Sequence, residues 1–121
     1  MSKNQQAIDA IIHQGMLPLY FNADESVSIE ILRAIYKAGV KAVEYTNRGE
    51  AALKNFKAMV AIRNTEMPEL LMGVGTIKNV AQATDYINAG ADFLVSPGYV
   101  AEVADYTHAK DFLYATVCMT P

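Results

Sequence analysis

Apolar positions along this chain alternate between helical spacing and short continuous runs. Stretches with apolar residues at every third or fourth position are each followed by a short, largely apolar segment. This alternation is typical of repeated βα units. It predicts five strands, with one helix before the first strand and one in each of the four intervals. The predicted strands are MLPLYF (16–21), AVEYT (42–46), LLMGVGT (70–76), DFLVSP (92–97) and FLYATV (112–117).

The predicted helices have recognisable ends. Asp24 and Asn79 stand directly before helical runs, where an acceptor side chain can cap the first turn. Gly39 and Gly90 follow helical runs, where glycine can adopt the left-handed conformation that ends a helix. The helices are therefore expected at about residues 4–14, 24–38, 51–64, 79–89 and 100–108.

Helical spacing also predicts which faces are buried. In the helix after Asp24 the expected buried stripe is Val27, Ile31, Ala34 and Ala38. In the helix that begins at residue 51 the residues at core-facing or flanking positions are Leu53, Phe56, Met59, Val60 and Arg63.

A weak internal repeat supports an α/β fold. KAGVKAVEYT (37–46) and NAGADFLVSP (88–97) share an Ala-Gly junction between helix and strand, and HQGMLPLYF (13–21) is similar. Strands that are apolar on both faces are typical of a parallel sheet covered by helices. We expect residues 1–121 to form one domain of right-handed βα crossovers. A doubly wound sheet and a (β/α)₈ barrel both fit, and about four and a half units would be half of a barrel of ~250 residues.

Composition narrows the classes of function. The chain has 121 residues, 52% of them hydrophobic, and a formal charge of −3 with no basic cluster. This balance supports a globular core and does not favour nucleic acid as a partner. No segment has the apolar length of a signal peptide or membrane span, so we expect a cytoplasmic protein. The only cysteine, Cys118, leaves no internal disulfide or multi-cysteine metal site, and we expect it to be a buried strand thiol.

Candidate chemistry lies where the predicted strands end. Ligands of parallel α/β folds bind at the C-terminal ends of the strands. Strand alternation puts Glu44 and Thr46 on one face and Tyr45 on the other, so Glu44 is predicted to point into a barrel while Tyr45 packs beneath helices. A buried carboxylate needs a partner or shifts its pKa toward neutrality, which suits a general acid/base. Arg48 is the predicted partner, and a solvated Glu–Arg pair in a surface loop is the alternative.

Four segments, in order and over nearly the whole chain, resemble one known family. They are VEYTNRGEAAL, GVGTIKN, GADFLVSPG and the closing MTP. They are similar to the 2-dehydro-3-deoxy-phosphogluconate aldolases, a family that includes 4-hydroxy-2-oxoglutarate aldolases. The resemblance implies the N-terminal half of a (β/α)₈ barrel and a class I aldolase, usually trimeric. Such an enzyme cleaves a small 2-keto acid into pyruvate and an aldehyde without a metal or other cofactor.

The resemblance also implies roles for four residues. Glu44 resembles the family's acid/base, which moves protons during carbinolamine dehydration and carbon–carbon cleavage. Arg48 resembles the arginine that anchors the substrate, and Thr76 the residue that holds the pyruvyl carboxylate. Pro97 resembles the residue that packs against the pyruvyl group. The glycines of GVGT would let this loop approach a ligand closely.

The Schiff-base lysine of the family is not matched by a residue of this chain. The resemblance puts that lysine at the end of a sixth strand, beyond Pro121, and puts the phosphate-binding loops later still. Lys41 precedes the second strand at the wrong end, and Lys78 enters a helix, where a solvated lysine is expected. The chain also departs from the family at Thr116 and Val117, where members typically carry Pro-Gly.

Two further functions remain open from the sequence. Phosphate-binding barrels share this fold and these strand-end sites while doing isomerase or synthase chemistry. A non-catalytic half-barrel that associates with itself is the other alternative. The aldehyde half of the substrate and its stereochemistry are not specified by any of these residues.

Overall fold

A computed structural model describes residues 3–116, with side chains from residue 5 onward. The five strands form one parallel sheet in the order β1-β2-β3-β4-β5. Each strand lies beside its neighbours in sequence, which is the order of a barrel wall and not of a doubly wound sheet. The elements are α1 (Lys3–Gln14), β1 (Leu19–Tyr20), α2 (Glu25–Lys37), β2 (Ala42–Thr46), α3 (Ala51–Glu66), β3 (Leu71–Gly75), α4 (Val80–Asn88), β4 (Phe93–Ser96), α5 (Ala101–Ala109) and β5 (Leu113–Thr116).

The predicted number and order of elements are confirmed, but the first strand is shorter than expected. β1 has two residues where the pattern predicted six. Within residues 3–116 it pairs with β2 alone. It is preceded by Pro18, which has no N–H to donate, although the Pro18 carbonyl accepts from the Glu44 N–H at 2.9 Å. The predicted positions of Val117 and Cys118 fall outside the described residues. No helix in residues 3–116 is long and apolar enough to cross a membrane.

Local signals set the helix ends as predicted. Asp24 and Asn79 are N-caps, and each accepts a hydrogen bond from the backbone N–H three residues further on. Gly39 and Gly90 follow the C-caps of α2 and α4 with φ of 95° and 108°. A side chain would be strained at this φ, so glycine lets the chain turn directly from helix into strand.

The predicted buried stripe of α2 is wrong by one position. Val27 is 40% exposed, whereas Ser28 and Leu32 are fully buried. The Ser28 hydroxyl donates to the carbonyl of Asn22 and lies 2.9 Å from the hydroxyl of Tyr45. A polar residue therefore faces the core because its hydrogen bonds are satisfied there, and the apolar pattern did not reveal it.

The two faces of the sheet bury different clusters. On the outer face, beneath the helices, the ring of Tyr45 contacts Tyr20, Phe21 and Phe56. On the inner face, α1 packs across the N-terminal ends of the strands, where Ala7, Ala42 and Phe93 form a second cluster with neighbouring apolar residues. The prediction that Tyr45 packs beneath helices is confirmed, and the C-terminal end of the inner face is left for a site.

A buried ion pair stabilises the N-terminal end of the sheet. Arg63 at the end of α3 meets Asp92 with 2.6 Å between Nη1 and Oδ2. Arg63 also donates to the carbonyl of Leu70, and Asp92 accepts from the Met72 N–H. The pair ties α3 to the beginnings of β3 and β4, and these hydrogen bonds offset part of the desolvation cost of the two charges.

Candidate active site

A cavity of about 190 Å³ opens at the C-terminal ends of the strands. Glu44, Arg48, Thr76 and Pro97, which the resemblance singled out, all line it. Two larger clefts, of about 380 and 390 Å³, contain none of these four residues. The complete lining of the smaller cavity is Leu19, Glu44, Thr46, Arg48, Thr76, Val95, Ser96 and Pro97.

Glu44 lies on the inner face of β2, as strand alternation predicted, and only 6% of its surface is exposed. Burial raises the pKa of its carboxyl, and the nearby charge of Arg48 offsets part of that rise. Arg48 is at the exposed rim, and the ion pairs within residues 3–116 do not include a direct contact between the two. Arg48 therefore acts on Glu44 through space, and burial makes the carboxyl hold its proton more readily than a solvated glutamate does, a property that suits proton transfer.

The glycines of β3 make room for side chains of neighbouring strands. Gly75 is paired with Thr46 in register, and a Cβ at Gly75 would overlap the Glu44 carboxyl. A Cβ at Gly73 would overlap the ring of Phe93. The sequence suggested that GVGT lets a backbone approach a ligand, whereas in the structure these two glycines accommodate Glu44 and Phe93.

Thr76 has an unusual backbone conformation, with φ of 63°. A β-branched residue is strained in this left-handed region, and such strain is concentrated at functional sites. The Asn47 side chain donates to the Thr76 carbonyl at 3.4 Å and accepts from the Tyr86 hydroxyl at 2.8 Å. Asn47 and Tyr86 thus support the conformation of Thr76, and sequence reasoning missed both because 39 residues separate them.

Two hydrogen bonds join the end of β4 to the loop after β3. The Ser96 hydroxyl donates to the carbonyl of Ile77, and the Ile77 N–H donates to the carbonyl of Val95 at 3.1 Å. Ser96 is fully buried, and the next residue, Pro97, is exposed at the rim. The loop after β3 is consequently held on one side by Asn47 and on the other by β4.

Thr46 is a cavity residue to which the sequence analysis assigned no role. It is 3% exposed, and its Oγ1 has no hydrogen-bond partner within residues 3–116. Its backbone carbonyl accepts from the Arg48 N–H at 2.9 Å, so the strand end itself is well ordered by hydrogen bonds. A buried hydroxyl without a partner is uncommon in folded proteins.

The lysines of the described residues do not line this cavity. Lys78 is exposed at the entry to α4. Lys41 lies at the opposite end of β2 with its Nζ 5.9 Å from the ring centre of Tyr36. Within residues 3–116 there is also no group of three His, Cys, Asp or Glu side chains that could hold a metal ion. The chemistry of the described site is thus that of a carboxyl group, a guanidinium and hydroxyls.

Comparisons with known proteins identify the relatives of this chain. The family model described as KDPG and KHG aldolase matches residues 8–121. The 2-dehydro-3-deoxy-phosphogluconate aldolase of Pseudoalteromonas atlantica is 32% identical over 107 residues, which cover 87% of this chain and 48% of that protein. The chain therefore spans about half the length of this curated relative.

Solved structures of such enzymes share the fold. The 2-keto-3-deoxy-6-phosphogluconate aldolase of Zymomonas mobilis ZM4, solved with 3-phosphoglycerate, superposes with a TM-score of 0.73 at 27% identity over 83% of this chain and 46% of its own. The KDPG aldolase of Legionella pneumophila, solved with pyruvate captured as a covalent carbinolamine intermediate, gives 0.71 at 26% identity over 81% and 46%. By the match over residues 8–121 and the shared half-barrel, the chain belongs to the KDPG and KHG aldolase family.

Proposed function

We propose that this chain supplies the acid/base and the carboxylate-binding residues of a class I aldolase. The substrate would be a 2-keto-3-deoxy-6-phosphosugar acid or 4-hydroxy-2-oxoglutarate, cleaved to pyruvate and an aldehyde. The observation that carries the proposal is that Glu44, Arg48, Thr76 and Pro97, from three strand ends, line a single cavity. Membership of the family and the covalent pyruvate complex of the Legionella relative support it.

Glu44 is proposed to move protons at two steps. A lysine amine of the complete enzyme adds to the keto carbon, and protonated Glu44 gives its proton to the hydroxyl that leaves as water. The carboxylate then removes the proton of the substrate's C4 hydroxyl while the C3–C4 bond breaks. The aldehyde departs and the electron pair of that bond enters the enamine. A raised carboxyl pKa suits both directions of transfer.

Arg48 and Thr76 are proposed to hold the carboxylate of the 2-keto acid. A guanidinium at the rim can bind a carboxylate with two parallel hydrogen bonds. The strained turn at Thr76, supported by Asn47, keeps its hydroxyl and amide in place before the ligand arrives. Pro97 would form the apolar wall against the pyruvyl methyl group, because it stands at the rim of the same cavity.

The rest of the enzyme is proposed from the resemblance. Residues 1–121 would form a single domain, the N-terminal half of a (β/α)₈ barrel. The Schiff-base lysine and the phosphate-binding loops would lie beyond Pro121. The complete enzyme would be a cytoplasmic homo-oligomer, a trimer as is usual in the family. No metal would take part.

Binding of pyruvate to the chain tests the proposal. In a titration followed by amide NMR shifts, pyruvate should move the signals of Glu44, Arg48 and Thr76. Arg48→Gln should raise the dissociation constant about tenfold, as loss of a charge-assisted pair does. The matched control is Arg33→Gln. Arg33 lies on α2, outside the cavity, and pairs with the exposed carboxylates of Glu30 and Glu66. Absence of shifts in the cavity, or equal affinity in both variants, would contradict the proposal.

A further inference from the structure

The hydroxyl of Thr46 is the unexplained polar group of the cavity. Burial removes it from water, and no protein group within residues 3–116 replaces the lost hydrogen bonds. Other buried hydroxyls of the sheet and helices are paired: Ser96 donates to Ile77 and Thr107 to Val103. A threonine that is left unpaired between a proton-transferring carboxyl and an anion-binding guanidinium is placed to bind a ligand oxygen.

The position of Thr46 indicates which oxygen. Glu44, Thr46 and Arg48 follow one another at alternate positions of β2 and the turn after it, and all three line the cavity. Alternate residues of a strand are spaced about 6.6 Å apart on one face. In a 2-keto acid the carboxylate carbon is bonded directly to the keto carbon. A ligand with its keto carbon toward Glu44 and its carboxylate toward Arg48 therefore has a carboxylate oxygen beside the residue between them.

We propose that Thr46 is a further substrate-binding residue, whose hydroxyl donates a hydrogen bond to the carboxylate of the bound 2-keto acid. The inference rests on the proposed function, because it takes the same ligand in the same cavity. It adds a third donor to Arg48 and Thr76, and it gives the buried hydroxyl of Thr46 a hydrogen-bond acceptor.

The proposal predicts opposite effects on stability and on binding. An unpaired buried hydroxyl destabilises the free protein, so Thr46→Val, which keeps the shape, should raise the melting temperature. The same change removes the donor to the carboxylate, so it should weaken pyruvate binding. A threonine that serves packing alone would not give this combination.

The experiment compares Thr46→Val and Thr46→Ser with the unchanged 121-residue chain. The melting temperature is measured by circular dichroism and the pyruvate dissociation constant by calorimetry or NMR titration. Thr46→Val is expected to melt higher and to bind pyruvate about tenfold more weakly, which corresponds to about 1.4 kcal/mol. Thr46→Ser keeps the donor and should bind within about threefold of the unchanged chain. The control is Thr84→Val on α4, whose hydroxyl donates to Val80 within its own helix.

The possible results separate this inference from the proposed function. If the unchanged chain does not bind pyruvate, the proposed function fails and this inference fails with it. If the unchanged chain binds and Thr46→Val binds equally well, the inference alone is overturned. A Thr46→Val chain that melts lower and binds less well, with no recovery in Thr46→Ser, would also overturn it, because Thr46 would then act through packing.

Discussion

At the scale of single residues, the site depends on space as much as on charge. Alternation along β2 was enough to predict the face on which Glu44 lies, because a strand has a period of two. The space for its carboxyl comes from the absence of a side chain at Gly75 on the next strand. This contact could not be predicted from the sequence, because it depends on how β2 and β3 are aligned in the sheet. Thr46 was recognised as a strand-end residue, but its unpaired hydroxyl is a property of three-dimensional surroundings that no motif records.

Replacing Glu44 by glutamine should change how stability depends on pH. Burial raises the folded-state pKa of Glu44 above its unfolded value, so folded protein retains the proton more strongly. Its contribution to stability is fully present below the unfolded pKa and is lost as the pH rises through the folded pKa. Glu44→Gln lacks this titration. The melting temperature of the unchanged chain should therefore fall relative to Glu44→Gln as the pH rises from below the ordinary glutamate pKa through the raised pKa of the folded state.

The control for this experiment is Glu50→Gln, an exposed glutamate a few residues along the chain. This variant keeps the Glu44 carboxyl, so the pH dependence that Glu44→Gln removes should remain in it. A constant difference between Glu44→Gln and the unchanged chain would mean that the carboxyl is not desolvated.

An alanine at Gly75 should displace the Glu44 carboxyl from its position. The added Cβ would overlap the carboxyl, and moving the carboxyl toward solvent relieves the contact. The pKa of Glu44, followed by carbon NMR of its carboxyl, should then fall toward the ordinary glutamate value, since desolvation is its largest cause of elevation. Gly98→Ala is the matched control, because a Cβ there meets nothing within 4 Å. An unchanged Glu44 pKa in Gly75→Ala would show that Gly75 does not set the carboxyl's surroundings.

At the scale of helices and strands, features set by local signals were predicted correctly, whereas features set by long-range contacts were missed. The caps Asp24 and Asn79 and the glycine stops were predicted because they act within a few residues of their own position. The buried face of α2 was mispredicted because Ser28 faces the core through bonds to a distant tyrosine and to Asn22. Asp92 was read only as part of an apolar strand, although with Arg63 it joins three elements.

Breaking that buried ion pair should be far more costly than breaking an exposed one. Asp92→Asn leaves the charge of Arg63 buried without its counterion, and we expect a loss of about 3 kcal/mol in the free energy of unfolding. Glu66→Gln, at the end of the same helix α3, removes a carboxylate from an exposed pair with Arg33 of α2 and should cost much less, because solvent screens that pair. Urea unfolding measures both, and equal losses would contradict a structural role for the Arg63–Asp92 pair.

At the scale of the whole molecule, the strand order decided between the two architectures that the sequence allowed. A sequential parallel sheet has two outer strands, β1 and β5, each paired on one side within the described residues. Periodicity could not distinguish the alternatives, because a doubly wound sheet uses the same βα units in another order. The family and the solved relatives agree with the barrel wall.

Prepared alone, residues 1–121 should associate through these outer strands. Unpaired parallel strands and the exposed Leu19, 57% accessible on β1, favour pairing with another copy. Light scattering should give a dimer or a larger species. Leu19→Lys should shift this equilibrium toward monomer, whereas Val27→Lys on the outer surface of α2 should not. A monomer at every concentration would contradict association through the strand edges.

Covalent trapping of pyruvate shows whether this chain supplies the proton-transfer and binding residues of an aldolase whose lysine lies elsewhere. In one sample the chain is fused to the C-terminal half of the Pseudoalteromonas relative, and in another the 121-residue chain is used alone. Both samples are treated with pyruvate and borohydride, and their masses are measured by mass spectrometry. We expect one pyruvyl group on a lysine of the added half. The 121-residue chain alone should keep its mass, because no lysine of the described residues lines the cavity. An adduct on Lys78 of the chain alone would contradict this expectation, since the nucleophile would then lie among the residues to which we assign proton transfer and binding.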